Sequence, residues 1–129
     1  MMSGSPSSLA ESLNGALHQL MDGDEAVVLI GQDIGRLGGV FRVTRGLQDR
    51  FGASRVRDAV LAESSIVGQA IGMSMSGLKP ICEIQFEGFI YPAMNQIVTQ
   101  AARLRNRWSD DRDLHLVIRV PVGGGIRAV

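Results

Sequence analysis

Three short, mostly apolar runs set what this chain can fold into: the unbroken Ala26-Val27-Val28-Leu29-Ile30, Pro80-Ile81-Cys82-Glu83-Ile84 with one carboxylate inside it, and Leu114 to Val120 with His115 and Arg119 inside it. Each has the length of a strand, and each has apolar residues at neighbouring as well as alternate positions. That pattern belongs to strands covered on both faces, as in a parallel sheet. Parallel strands need crossover connections, and the segments between the runs carry helical signals. Ser8-Leu9-Ala10-Glu11 is a capping box, and Leu9, Leu13, Ala16, Leu17 and Leu20 follow at helical spacing. The spacing predicts a helix there, stopped at Met21-Asp22-Gly23-Asp24. Thr44 is placed to cap a short helix that ends at Phe51, with Gly52 as its stop. Arg55-Val56-Arg57 reads as a brief strand, and a helix is expected from Glu63 to Ser76, ended by Gly77. Pro92 opens a predicted long helix to about Arg107, with Ala93, Met94, Ile97, Val98, Ala101 and Leu104 on one face. The expected fold is α/β, a three-layer sandwich with a mostly parallel sheet of three or four strands and helices on both faces.

A chain of 129 residues is at most one domain with a sizeable core. Thirteen basic and thirteen acidic side chains cancel, which leaves no electrostatic case for nucleic acid or an anionic membrane. No apolar stretch is long enough to span a bilayer, and the N-terminus lacks the pattern of a signal peptide. The one cysteine, Cys82, fits a reducing compartment and reads as a buried, inert thiol. The expected location is the cytoplasm. Residues 1–7 read as a disordered tail and residues 8–129 as the domain. His18 and His115 have no metal-ligand neighbours in sequence. The mixed charges of Arg103, Arg105, Arg107, Asp110, Asp111, Arg112 and Asp113 read as a solvated helix end and loop.

Glu63 is the residue out of place. It sits in Val60-Leu61-Ala62-Glu63-Ser64-Ser65-Ile66-Val67-Gly68, an apolar and small-residue setting at the start of a helix that reads as buried. A buried carboxylate must be protonated, paired or functional, whereas one at an exposed helix start simply complements the helix dipole. The glycines Gly31, Gly35, Gly38 and Gly39 follow a strand, but their spacing matches neither a dinucleotide fingerprint nor a P-loop. Gly68, Gly72 and Ser76 form a stripe of small residues that suits close helix approach, within the domain or across a subunit boundary.

Three segments carry a resemblance. They are Gly38-Gly39-Val40-Phe41-Arg42-Val43-Thr44-Arg45-Gly46-Leu47, the Leu61-Ala62-Glu63 segment, and Glu83-Ile84-Gln85-Phe86-Glu87-Gly88-Phe89-Ile90-Tyr91-Pro92-Ala93-Met94-Asn95-Gln96. In this order and spacing they resemble the beta subunit of the thiamine-dependent 2-oxo acid dehydrogenases. Those enzymes are the decarboxylating first component of the pyruvate and branched-chain 2-oxo acid dehydrogenase complexes. The resemblance runs from about Leu9 to Ile126 and covers the N-terminal, transketolase-like pyrimidine-binding domain. The wording looks more like the branched-chain and general bacterial branch than the mitochondrial pyruvate branch.

The resemblance implies a cofactor, thiamine diphosphate, whose aminopyrimidine ring this domain would hold. The alpha subunit would supply the magnesium and diphosphate site. Glu63 matches the family's cofactor-activating glutamate. A carboxylate hydrogen-bonded to one ring nitrogen of the pyrimidine favours the tautomer whose opposite nitrogen takes the thiazolium C2 proton. Leu61, Gln85 and Phe89 match positions against the aminopyrimidine, with Phe89 where relatives carry an aromatic residue. Gln32 stands where a glutamate is usual and removes a charge near the cofactor. Ala59-Val60 replaces Thr-Pro, and Asn95 replaces an aspartate. Leu114, Leu116 and Val117 match backbone positions that hold a structural potassium ion in some relatives. The implied partners are the alpha subunit, a second beta subunit and the lipoyl acyltransferase core. The family subunit is more than twice as long, and its histidine-bearing loop and C-terminal domain have no counterpart in these residues. Two readings stand: a part of a working beta subunit, or a non-catalytic module that keeps the pyrimidine-domain fold.

Overall fold

The computed structural model describes residues 8–108 and 113–123. Its elements follow the predicted alternation. Helix α1 spans Leu9–Gly23, strand β1 Val27–Gly31, helix α2 Leu47–Phe51 and strand β2 Val56–Asp58. Helix α3 spans Glu63–Met75, strand β3 Lys79–Glu83, helix α4 Ala102–Arg107 and strand β4 Val117–Arg119. The sheet is parallel throughout, in the order β2-β1-β3-β4. All five residues of β1 are buried, as its unbroken apolar run requires of a central strand.

Alternate residues of the strands serve two cores. Val27, Leu29 and Val56 face Leu17 and Met21 of α1, with Ile34, Val43 and Leu47. Ile30, Cys82 and Ile84 face Ile66, Val67, Ala70 and Ile71 of α3, with Ala93 and Leu104. This is the expected three-layer arrangement. The predicted capping box is present: Glu11 N–H donates to Ser8 Oγ at 3.2 Å, and Ser8 N–H donates to Glu11 Oε2 at 2.7 Å. Arg55 ties the end of α1 to the sheet, donating to the carbonyls of Met21, Asp24 and Val27 while its guanidinium lies 5.1 Å from the Phe51 ring centroid.

Three local expectations need correction. Of the run Leu114 to Val120 only Val117–Arg119 forms a strand, and at the edge of the sheet it is not covered on both faces, since Val117 is 54% exposed. Thr44 does not cap α2. Its buried hydroxyl donates to the Ile34 carbonyl at 2.7 Å, and α2 instead begins after Gly46 at φ 77°. The Pro92 helix is not one regular helix. Pro92 lies inside a 3-10 segment, Glu87–Ala93, which leads to a π-helical segment, Gln96–Ala101, and only then to α4. Proline lacks an N–H, and the Thr99 hydroxyl bonds back to the Asn95 carbonyl, so the regular ladder is interrupted from both sides. Of the predicted apolar face, Ala93 and Leu104 are buried and Ile97 and Ala101 pack against the core, but Met94 and Val98 are exposed.

The N-terminal tail of residues 1–7, the charges at Asp110, Asp111 and Arg112, and the residues after Gly123 lie outside the described residues. Among those described, Arg105 and Asp113 form an exposed ion pair at 3.6 Å.

Candidate functional site

The topology selects one crevice. The chain leaves β1 to build β2 on one side, then crosses by α3 to build β3 on the other. In open parallel sheets the carboxyl ends of the strands on either side of such a reversal frame the ligand site. Here those ends are Gly31 of β1 and Glu83 of β3, paired in register.

Two sequence-predicted residues meet across it. Gln32 follows β1 and Gln85 lies two residues beyond β3; both are half-buried. Gln85 Nε2 donates to the Gln32 carbonyl at 3.4 Å and to Asp33 Oδ2 at 3.3 Å. Asp33 adopts φ 57°, which turns the chain sharply away from β1. The loop then folds back on itself: Gly39 N–H donates to the Asp33 carbonyl at 2.8 Å, and Gly35 N–H to Asp58 Oδ1 at 2.7 Å. Gly38 is required as glycine, with φ 78° and a Cβ that would lie 2.7 Å from Arg45 Cα.

Glu63 occupies the first turn of α3, and the chain reaching it is fixed to the same edge of the sheet by Ala59 N–H donating to the Gly31 carbonyl at 2.8 Å. The expected burial of Glu63 is corrected. The core face of α3 is made by Ile66, Val67, Ala70 and Ile71, and Glu63 itself is half-buried. Leu61 is 72% exposed. Phe89 is also exposed, and stacks edge-on against Phe86 at 5.6 Å, which in turn meets Phe41 at 5.8 Å. At the ends of β1 and β3 the Gln85 amide thus meets the Gln32 carbonyl and the Asp33 carboxylate, while Leu61 and Phe89 face outward. This donor and acceptor set fits a flat heteroaromatic ring with ring nitrogens and an exocyclic amine.

Leu114, Leu116 and Val117 lie elsewhere. They line a groove of about 390 Å³ with Leu20, Val27, Pro80 and Ile81, at the amino ends of β1 and β3. Among the described residues no cluster of three or more His, Cys, Asp or Glu side chains is arranged to hold a metal ion. Cys82 is fully buried, and burial pushes its thiol up to about 12, so the expected inert thiol is what the fold makes of it.

Glu83 was not singled out from sequence. It is 4% exposed and paired with Arg119. The available signal was a carboxylate inside an apolar strand, with an arginine in the same setting in Val117-Ile118-Arg119-Val120.

Residues 6–129 match the transketolase pyrimidine binding domain family. The chain belongs to that family. As a pyrimidine-binding domain it is also similar to part of several longer proteins. It is 54% identical over 121 residues to the pyruvate dehydrogenase E1 component subunit beta of Acholeplasma laidlawii, covering 94% of this chain and 37% of that protein. It is 47% identical to the 2-oxoisovalerate dehydrogenase subunit beta of Pseudomonas aeruginosa, covering 92% and 34%. It is 46% identical to the 3-methyl-2-oxobutanoate dehydrogenase subunit beta of Mycobacterium tuberculosis, covering 93% and 34%. The resemblance drawn from the three motifs is borne out, and the chain spans about a third of the length of these relatives. No helix among the described residues of this pyrimidine-binding domain is long and apolar enough to cross a membrane.

Proposed function

We propose that the chain is the pyrimidine-binding part of a beta subunit in a thiamine diphosphate-dependent 2-oxo acid dehydrogenase. The enzyme would decarboxylate pyruvate or a branched-chain 2-oxo acid such as 3-methyl-2-oxobutanoate and pass the acyl group to lipoyl. The observation that carries this reading is the Gln85–Gln32 contact across the β1–β3 crevice, on the edge of the sheet where Glu63 starts α3. When bound, thiamine diphosphate supplies the carbon nucleophile and the electron sink.

The chain's own groups have separable tasks. Glu63 accepts a hydrogen bond from a pyrimidine ring nitrogen and holds the proton there. Gln85 and Gln32 offer amide donors and acceptors to the ring edge. Phe89 gives the ring a face to rest on, and Leu61 keeps water from it. Because Leu61 and Phe89 are exposed in the single chain, a partner surface is needed to close the crevice. An alpha subunit carrying magnesium and the diphosphate site, with a second beta subunit, fills that need in an alpha2beta2 assembly that docks on a lipoyl acyltransferase core. Backbone carbonyls of Leu114, Leu116 and Val117 are the proposed potassium ligands. The proposed location is the cytoplasm.

The test is reconstitution. The domain, within its full-length beta subunit, is assembled with the alpha subunit, thiamine diphosphate and magnesium. Turnover of pyruvate and of 3-methyl-2-oxobutanoate is followed with an artificial electron acceptor. Glu63→Gln is expected to lower turnover by about 10²–10⁴-fold. Undiminished turnover in Glu63→Gln would sink the assignment, and the ratio of the two substrates decides the branch.

A further inference from the structure

Glu83 and Arg119 form an ion pair that none of these tasks uses. Their side chains are 5% and 18% exposed. They stand opposite each other in register on β3 and β4, and Ile84 N–H donates to the Arg119 carbonyl at 3.0 Å. On its other side Glu83 meets the end of β1. A Cβ on Gly31 would lie 3.0 Å from Glu83 Cβ. The Gly-rich turn comes close as well, since a Cβ on Gly39 would lie 3.6 Å from Glu83 Oε1. Glu83 thus ends β3, pairs with the end of β4, and lies close to the end of β1 and to the Gly-rich turn.

A buried ion pair is a poor source of stability, because removing two charges from water offsets most of their attraction. What it supplies is direction: a planar guanidinium holds a carboxylate in one orientation, which an apolar pair of the same volume does not. We propose that Glu83 and Arg119 are a positioning pair. They hold the carboxyl ends of β1, β3 and β4 in fixed relation, and so set where Gln32, one residue past β1, and Gln85, two past β3, present their amides. For what the crevice receives, this rests on the thiamine reading above; for the clamp itself it rests only on the geometry.

The experiment compares Glu83→Gln, Arg119→Lys and the neutral pair Glu83→Gln/Arg119→Met with the unsubstituted protein. Three quantities are read: the thermal midpoint, amide hydrogen exchange at Gly39 and Ile84, whose N–H groups donate to the Asp33 and Arg119 carbonyls, and calorimetric titration of the assembled enzyme with thiamine diphosphate. The neutral pair leaves no unpaired charge and is expected to melt within about 3 °C of the parent. Its exchange at these two amides is nevertheless expected to be at least about tenfold faster. Its cofactor affinity is expected to be at least about tenfold weaker. Arg119→Lys keeps the charge but loses the fork, and is expected to fall between the two. A neutral pair that recovers exchange protection and cofactor affinity along with its midpoint would overturn the proposal, leaving the pair a merely structural one. If the unsubstituted assembly binds no thiamine diphosphate, the cofactor half of the proposal falls with the functional reading. Unchanged exchange in all three variants overturns the clamp whatever the cofactor result.

Discussion

Gly35 donates its backbone N–H to the Asp58 carboxylate at 2.7 Å, and it comes so close that a Cβ on Gly35 would lie 2.4 Å from Asp58 Oδ2 and 2.2 Å from Gln48 Nε2. This contact holds the loop after β1 against the end of β2. Gly35→Ala is expected to destabilise the chain by about 1–3 kcal/mol, the usual cost of forcing atoms into filled space. A lowered urea midpoint with an unchanged slope checks it. An unshifted midpoint would mean that the loop is free to move aside.

Gly72 is the opposite case. It is exposed in the interior of α3, with nothing within 4 Å of where a Cβ would be. Gly72→Ala is expected to stabilise the isolated chain by about 0.5–1 kcal/mol through helix propensity alone. If the stripe of Gly68, Gly72 and Ser76 faces a second subunit, the same change weakens assembly. Thermal melts and sedimentation of the one variant read the two effects separately.

Among the described residues Leu61 is 72%, Tyr91 75% and Val98 45% exposed. Apolar surface of this extent favours association. The isolated chain is expected to show concentration-dependent mass in sedimentation equilibrium. A monomer at all concentrations, unfolding cooperatively, would contradict this.

Cys82 yields a prediction in alkali. Its thiol is raised from 9.0 to about 12 by burial, so the folded chain keeps a proton that the unfolded chain gives up. The unfolded state then binds fewer protons, and stability falls as pH rises through that window, by up to about 1.4 kcal/mol per unit from this group. Below the unfolded value the contribution is fully present. Urea midpoints above that unfolded value should decline less in Cys82→Ala. Alkylation at neutral pH should require unfolding.

Asp24 yields one in acid. Lys79 Nζ donates to its carboxylate at 2.7 Å and Ala26 N–H at 2.8 Å, and the Lys79 bond is the larger cause of its lowered pKa. A depressed carboxylate pKa means that the unfolded chain binds the proton first. The contribution is present above the ordinary carboxylate range and is lost as pH falls through the folded value. Asp24→Asn should flatten the acid limb of the stability profile, and added salt should weaken the effect, because the pair is exposed.

The layers of this fold were written locally. Val27 to Ile30 can be nothing but a strand covered on both faces, and the box of Ser8 and Glu11 starts a helix with groups three residues apart. Glu63 at a helix start was equally legible, because side-chain type and short spacing carry that information, whereas Gln32 and Gln85 were named only through the family resemblance. Tertiary structure decided what depends on distant partners. Gln85 reaches Gln32 across 53 positions of sequence, Glu83 meets Arg119 across 36, and Thr44 gives its hydroxyl to Ile34 instead of to a helix end. The half-exposure of Glu63 also follows from which face of α3 packs against the sheet. A sequence specifies which groups want partners; the order of parallel strands specifies which partners they find.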